Sequence, residues 1–216
     1  MTIDLEKLLV NWVNIVIIAE YHNASLLNPD FLRINEIVPF GWKESENVTT
    51  PGFALVMFDN IRITLDQNRL EIKENKSDQF PVGYSPIYEI ADKYINTIRH
   101  VKYTTFGLNW SINYPINETK RWIIDKFLKD EFREFSDLVD CSINLTFDSF
   151  DSNCNLRFNK VNLRNADELQ EEVIQINANF DHRISKDSGI DDITKRIYKW
   201  NDKQKFLKDK LMQVLD

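Results

Sequence analysis

Two pairs of residues have side chains that can carry out proton transfer or bind a metal ion. Glu20 and His22 lie two residues apart after an apolar segment, so in a strand they would share one face. Asp181 and His182 end a second apolar segment near the C-terminus. If the fold brings the two pairs together, imidazole and carboxylate groups can act as general acid and base, or coordinate a cation. The alternative, which we favour, is that these are polar strand ends facing solvent.

The sequence lacks the common motifs of nucleotide, zinc and acyl-transfer chemistry. It contains no phosphate-binding loop, dinucleotide fingerprint, H-E-x-x-H or G-x-S-x-G, and its 5 glycines leave little for a phosphate cradle. The segment 151–155 matches the first ligands of a calcium loop, but Leu156 replaces the glycine and Asn162 replaces the bidentate glutamate. A hairpin turn explains that segment better. We therefore predict no catalytic residue, no cofactor and no metal ion.

Composition and charge narrow the class of protein. The chain has 216 residues, 43% of them hydrophobic, which is typical of a globular protein. Its net charge of −7 argues against a general nucleic-acid binder, because such proteins bind phosphate through lysine and arginine. The apolar run 8–19 is interrupted by Asn11 and Asn14, is shorter than a membrane span, and follows acidic residues. We expect a soluble, cytoplasmic protein that does not enter the membrane, with Cys141 and Cys154 reduced.

Hydrophobic periodicity predicts the elements that would position these residues. Ser85 and Pro86 are predicted to begin the first helix, and His22–Gly52 is expected to be an irregular loop packed on the body. Helices are predicted over 85–100, 118–135 and 190–215, the last capped by Asp187 or Ser188; strands over 12–21, 53–59, 61–65, 69–73, 101–114, 141–150, 155–163 and 173–185.

Consecutive strands separated by long helices indicate an α+β fold with mainly antiparallel sheet. We expect two similar lobes, with two central helices and a long C-terminal helix. The N-terminal lobe would cover residues 1–100 and the C-terminal lobe 101–216. One continuous domain with a single sheet is the alternative.

The predicted C-terminal helix carries an apolar stripe with one polar interruption. The stripe is spaced alternately by three and four residues, which is typical of a helix-packing seam, and Gln204 interrupts it. We hypothesise that the part through Trp200 packs on the last strands, while the part beyond Gln204 presents apolar surface to a second copy of the chain or to another protein. The alternative is that the whole stripe serves the chain's own core. The candidate interaction residues are Trp200, Leu207, Leu211 and Val214.

The order of elements over residues 53–214 resembles an uncharacterised, sporadically distributed prokaryotic family of two-lobed α+β proteins. The residues that carry the likeness are Gly107 and Asn109, in the strand after the first central helix. The pattern also resembles small proteins with an Asn-Pro motif soon after the first strand, here Asn28-Pro29. The family has no established activity, so the resemblance implies no catalytic residue. Its patchy distribution implies an association with mobile or defence genes.

Three functions fit these observations. The first, which we favour because no catalytic motif is present, is a non-enzymatic interaction protein: an adaptor, subunit or inhibitor that binds a protein partner or a second copy of itself. The second is a module that binds a small ligand in a pocket between sheet and helices. The third is a hydrolase or nuclease that uses an unfamiliar His/Asp site. A convergence of His22, His182 and a carboxylate would favour the third function.

Overall fold

The computed structural model describes residues 5–116, 118–128, 141–164, 170–184 and 189–215, and these form an α+β fold around one nine-stranded antiparallel sheet. Each strand pairs with its neighbours in antiparallel register, as the alternating apolar pattern predicts. The strands are β1 Leu9–Ala19, β2 Glu44–Thr49, β3 Phe53–Phe58, β4 Ile61–Asp66, β5 Arg69–Gln79, β6 Tyr103–Pro115, β7 Ser142–Ser149, β8 Ser152–Arg164 and β9 Gln170–Arg183.

The sheet runs without interruption through both halves of the sequence. Its strand order is β2-β3-β4-β5-β1-β6-β9-β8-β7, so β1 pairs with β5 on one side and with β6 on the other. Each half begins with a central strand, crosses to an outer strand and returns through hairpins to pair with the central strand. The halves therefore have a similar order of elements, with four strands after the helix Pro29–Ile34 in the first and three after the helix Thr119–Phe127 in the second, and they join through the β1–β6 ladder.

The two faces of the sheet differ in chemistry. One face carries the buried apolar side chains of every second residue, such as Ile15, Ile72, Leu108 and Ile176. The opposite face carries polar side chains, among them a row of asparagines. Helices and loops of both halves bury the apolar face, and together they form one continuous core.

Five helices lie among the described residues, and those with long apolar stripes pack on the apolar face. They are α1 Pro29–Ile34, α2 Ile87–Thr97, α3 Thr119–Phe127, α4 Gly189–Ile197 and α5 Trp200–Leu215. Ile90, Ala91 and Ile95 of α2 are buried in the core, as are Ile193 and Leu207 of the last two helices. The predicted extension of α3 to Phe135 and the caps at Asp187 and Ser188 lie outside the described residues.

Several predicted elements differ in the structure. The segment 22–52, predicted to be irregular, contains the short helix α1 and the exposed edge strand β2. Ser85 does not cap α2, because its hydroxyl donates to the buried carboxylate of Glu74 at 2.6 Å. The predicted single C-terminal helix is divided at residues 198–199 into α4 and α5.

The apolar stripe of the C-terminal helices packs largely within the chain itself. Leu207 and Leu211 are fully buried in the core, and Val214 is half-buried against it. Trp200 is buried against Trp110 of β6, with ring centroids 4.8 Å apart. A partner surface on these helices would therefore have to use side chains beside the stripe, such as the exposed Met212.

Gln204 explains the polar interruption of the stripe. Its side-chain amide donates to the carbonyl of Val82 at 2.9 Å, and its carbonyl oxygen accepts from the N–H of Val82 at 3.2 Å. Val82 lies in the loop between β5 and α2, where its backbone groups are buried and would otherwise lack a partner. Gln204 thus fixes this first-half loop to the last helix of the chain.

Replacing Gln204 by methionine should lower the free energy of unfolding by about 1–3 kcal/mol, because both backbone groups of Val82 lose their partner. Urea denaturation followed by circular dichroism measures the change. Gln213→Met, an exposed position of the same helix, is the matched control and should change stability by less than about 0.5 kcal/mol. Equal effects of the two substitutions would contradict the assigned role of Gln204.

Candidate functional site

A groove rich in tyrosine lies between α2, the loop that precedes it and the junction of α4 with α5. Its volume is about 650 Å³. The exposed rings of Tyr84 and Tyr198 form part of its walls, so the groove is open to solvent. The described residues that line it are Val82, Gly83, Tyr84, Tyr88, Glu89, Asp92, Lys93, Ile197, Tyr198, Trp200 and Asn201.

Three tyrosine rings follow one another edge to face along the groove. The centroids of Tyr84 and Tyr88 are 6.0 Å apart with planes at 78°, and those of Tyr88 and Tyr198 are 6.4 Å apart with planes at 65°. Both separations and both angles are in the favourable range for aromatic pairs. The three rings therefore present differently oriented π faces and edges to the same space.

Two carboxylates, Glu89 and Asp92, lie among these rings. The hydroxyl of Tyr198 donates to Asp92 at 3.0 Å, which links the junction of α4 and α5 to α2. Burial, then a hydrogen bond with Glu89, raises the pKa of Tyr84; burial and the charge of Glu89 raise the pKa of Tyr88. The hydrogen bond with Asp92 raises the pKa of Tyr198. The tyrosines therefore remain protonated at neutral pH and can donate to the carboxylates.

A buried polar network holds the loop that carries Tyr84. Glu74 of β5 accepts from Ser85 and forms an ion pair of 2.9 Å with Lys76, and both charged side chains are nearly buried. Lys76 also donates to the backbone carbonyl of Tyr84 at 3.2 Å. Because Gln204 holds the same loop two residues earlier, the position of the Tyr84 ring is fixed from both the sheet and α5.

Trp200 forms part of the groove lining with a side chain that is only 4% exposed. Its indole N–H is buried and has no acceptor among the described residues. A buried donor without a partner costs free energy, and such atoms often mark a place that a ligand or water satisfies. This N–H has almost no solvent-accessible surface, so Trp200 contributes only its ring to the lining of the groove.

A second polar cluster surrounds Asp151, in the hairpin between β7 and β8. Lys203 of α5, only 1% exposed, donates to the carboxylate at 2.5 Å, and Lys199 donates to the other oxygen at 3.0 Å. Arg196 of α4 lies 3.5 Å from the same carboxylate. Burial raises the pKa of Asp151, but the hydrogen bonds from Lys203 and Lys199 outweigh it and bring the pKa to about 2.

His182 extends the cluster beneath the surface. Its Nδ1 atom lies 2.7 Å from Nη1 of Arg196 and 3.2 Å from the backbone carbonyl oxygen of Asp151. Burial, followed by the positive charge of Lys203, lowers the pKa of His182 to about 4. The imidazole is therefore neutral at pH 7.

The Asp151 cluster contains a serine beside a lysine, but the two are not arranged as a nucleophile and its base. Lys203 Nζ lies 2.7 Å from Ser152 Oγ, a separation suited to a serine–lysine pair. Burial lowers the pKa of Lys203 while the bond to Asp151 opposes this shift. The amine donates to both Asp151 and Ser152, with Ser149 at 3.4 Å, so no electron pair is directed at the serine proton. The arrangement holds α5 against the hairpin.

The predicted pairs Glu20/His22 and Asp181/His182 do not form one site. Asp181 and His182 are consecutive in β9, so their side chains lie on opposite faces; Asp181 is exposed and His182 is buried. His22 is buried against Tyr94 and Tyr103, whereas Glu20 pairs with Lys102 at the surface. Within the ranges that the structure describes, no group of three or more His, Cys, Asp or Glu residues is arranged to hold a metal ion.

The two cysteines are also separated. Cys154 pairs in register with Phe147, six residues along β7 from Cys141, which corresponds to roughly 20 Å. The thiol of Cys154 is buried, and burial raises its pKa to about 12. This thiol is therefore neutral and unreactive at pH 7.

Sequence reasoning missed the groove because its residues are distant in sequence. Tyr84 and Tyr88 belong to the first half of the chain, whereas Tyr198 and Trp200 belong to the second. One signal was available: Tyr198 lies off the apolar stripe of the C-terminal helix. Asp151 was assigned to a turn, and nothing in the spacing indicated that Lys203 and Arg196 surround it.

Comparison with protein-family models and with curated proteins gives no match. Among the described residues, no helix is long and apolar enough to cross a membrane.

Replacing Lys203 by methionine should lower the free energy of unfolding by about 1–3 kcal/mol, because it removes the buried charged donor to Asp151 and Ser152. Lys199→Met is the matched control: Lys199 binds the same carboxylate but is 45% exposed, so its loss should cost only about 0–1 kcal/mol. Urea denaturation measures both. Similar losses for the two variants would contradict the expectation that the buried Lys203 contributes more to the free energy of unfolding than the exposed Lys199.

The free energy of unfolding should fall as the pH drops from about 6.5 to about 4. In this window the unfolded chain protonates His182, whereas the folded chain keeps it neutral because its pKa is about 4. The lowered pKa of Asp151 extends the loss from about pH 4 to about pH 2. His182→Gln should reduce the slope in the first window, measured by urea denaturation in steps of pH; the buried His22, whose pKa is also lowered by burial, contributes the rest. A profile parallel to that of the wild type would contradict the assignment.

Proposed function

We propose that the chain is a non-enzymatic interaction protein that holds its partner at the tyrosine groove. The observation that carries the proposal is the groove itself: exposed Tyr84 and Tyr198 flank a cleft that also contains the carboxylates of Glu89 and Asp92. Tyrosine and tryptophan are the residues that most often dominate binding energy at protein interfaces. On the ground of the family resemblance, we extend the proposal to an adaptor, subunit or inhibitor of a prokaryotic complex linked to mobile or defence genes.

The enzymatic alternative has less support from the described residues. His22 and His182 have different neighbours, and the lysine beside Ser152 is engaged as a donor. Both His182 and Lys203 are almost completely buried, so a substrate has little access to them. The groove is the better-exposed of the two polar sites.

One observation favours the alternative function, in which the chain binds a small ligand. The volume of about 650 Å³ is within the range of small-molecule sites. Its described lining comes from helices and a loop, with no strand residue, so the site differs from the predicted pocket between sheet and helices. We retain this function as the second candidate.

Site-specific photocross-linking tests the proposed function. A photoreactive residue at Asn201, an exposed position in the groove, should give an adduct with a partner in cells that naturally contain the protein. The same residue at Asn144, exposed on β7 of the opposite sheet face, is the positional control and should give none. An adduct with twice the chain's mass would identify a second copy as the partner.

The adduct should also depend on the tyrosines. Tyr198→Leu should reduce it strongly, whereas Tyr21→Leu, a similarly exposed tyrosine outside the groove lining, should leave it unchanged. An adduct that forms equally from Asn144, or that persists in the Tyr198→Leu variant, would overturn the proposal.

A further inference from the structure

The groove contains aromatic rings and carboxylates, the groups that bind an organic cation. An aromatic face attracts a cation within about 6 Å of its centroid, and the attraction strengthens where water is excluded. Tyr84, Tyr88 and Tyr198 follow one another at 6.0 and 6.4 Å with steeply inclined planes, so a group between them meets more than one ring. The described lining contains two carboxylates, Glu89 and Asp92, and one ammonium group, Lys93, so its net charge is negative.

Asp92 is already engaged as an acceptor. It accepts from the hydroxyl groups of Tyr198 and Thr194, each at 3.0 Å, and from the amide of Asn96 at 2.9 Å. A primary ammonium or guanidinium ligand needs acceptors for its N–H groups and would have to displace these bonds to pair with Asp92. Glu89 adds negative charge beside the hydroxyls of Tyr84 and Tyr88.

A quaternary ammonium group has no N–H to satisfy. It gains from the aromatic faces and from the negative charge of the carboxylates without breaking their bonds. Resting on the proposed function, we infer that the tyrosine groove recognises a quaternary ammonium group.

A series of matched probes tests the inference on the intact chain. Choline carries the quaternary group; dimethylbutanol has the same shape with a neutral carbon in place of the nitrogen; ethanolamine has the same skeleton with a primary ammonium. Each is titrated into isotopically labelled protein, and amide shifts of Tyr88, Tyr198 and Asn201 are followed by NMR. Choline should bind at least about 10-fold more tightly than either control. Equal or tighter binding of ethanolamine or dimethylbutanol, or no binding of choline, would overturn the inference.

Substitutions locate the binding. Tyr88→Leu and Tyr198→Leu should each weaken choline binding by about 3- to 30-fold, the range expected for one cation–π contact. Tyr198→Phe, which keeps the ring and removes only the bond to Asp92, should bind choline within about 3-fold of the wild type. Tyr21→Leu is the control elsewhere on the surface. Unchanged choline binding in both leucine variants would place the cation outside the groove and overturn the inference.

A fourth probe, an acetylated trimethyllysine amide, identifies what carries the group. Binding tighter than that of choline would support a side chain of a protein partner, and the reverse order would support a free small molecule. Both orders support recognition of the quaternary group. If no quaternary probe binds while the cross-link from Asn201 still requires Tyr198, the inference fails and the proposed function stands. If choline binds but no tyrosine-dependent cross-link forms, the proposed function fails.

Discussion

A single buried ammonium group determines where the last helix lies. Lys203 is removed from water and has Asp151 as its counter-ion, so α5 must meet the β7–β8 hairpin at this point. A buried charge without its partner is far more costly than an exposed one, which makes this contact selective for one position of the helix. The next residue, Gln204, then falls beside the backbone of Val82. The loop that carries Tyr84, and with it the wall of the groove, follows from that placement.

Asparagines on the polar face of the sheet form a hydrogen-bonded row across the strands. Asn14, Asn109 and Asn179 lie opposite one another on β1, β6 and β9, and each amide donates to the next, ending at Glu71 of β5. Gly107 lies two residues from Asn109 on the same face, where an added Cβ would meet the amides of Asn109 and Asn179 at 3.8 and 3.9 Å. The Gly-x-Asn pattern thus places a cross-strand amide row where the two halves of the sheet join.

The sequence predicts periodic secondary structure better than it predicts contacts between residues that are distant in sequence. Alternation was sufficient for β3, β4 and β6, because one face of each strand is buried against the core. Strand β2 was missed because it is an exposed edge strand and has no apolar alternation to reveal it. Gln204 was visible as an interruption of an apolar stripe, but its partner is a backbone 122 residues away. The groove was missed for the same reason. Tyr84 and Tyr88 are distant from Tyr198 in sequence, so no local pattern links them.

The groove is a product of the junction between the halves. Helix α2 and the preceding loop come from residues before 101, whereas Tyr198 comes from the junction of α4 and α5, and Trp200 begins α5. Gln204 and the Tyr198–Asp92 bond are contacts across this junction. A ligand that touches both sides binds only the assembled form, and such binding stabilises that form in proportion to its affinity. The predicted boundary near residue 100 therefore runs through the candidate site, and neither half contains a complete set of its side chains.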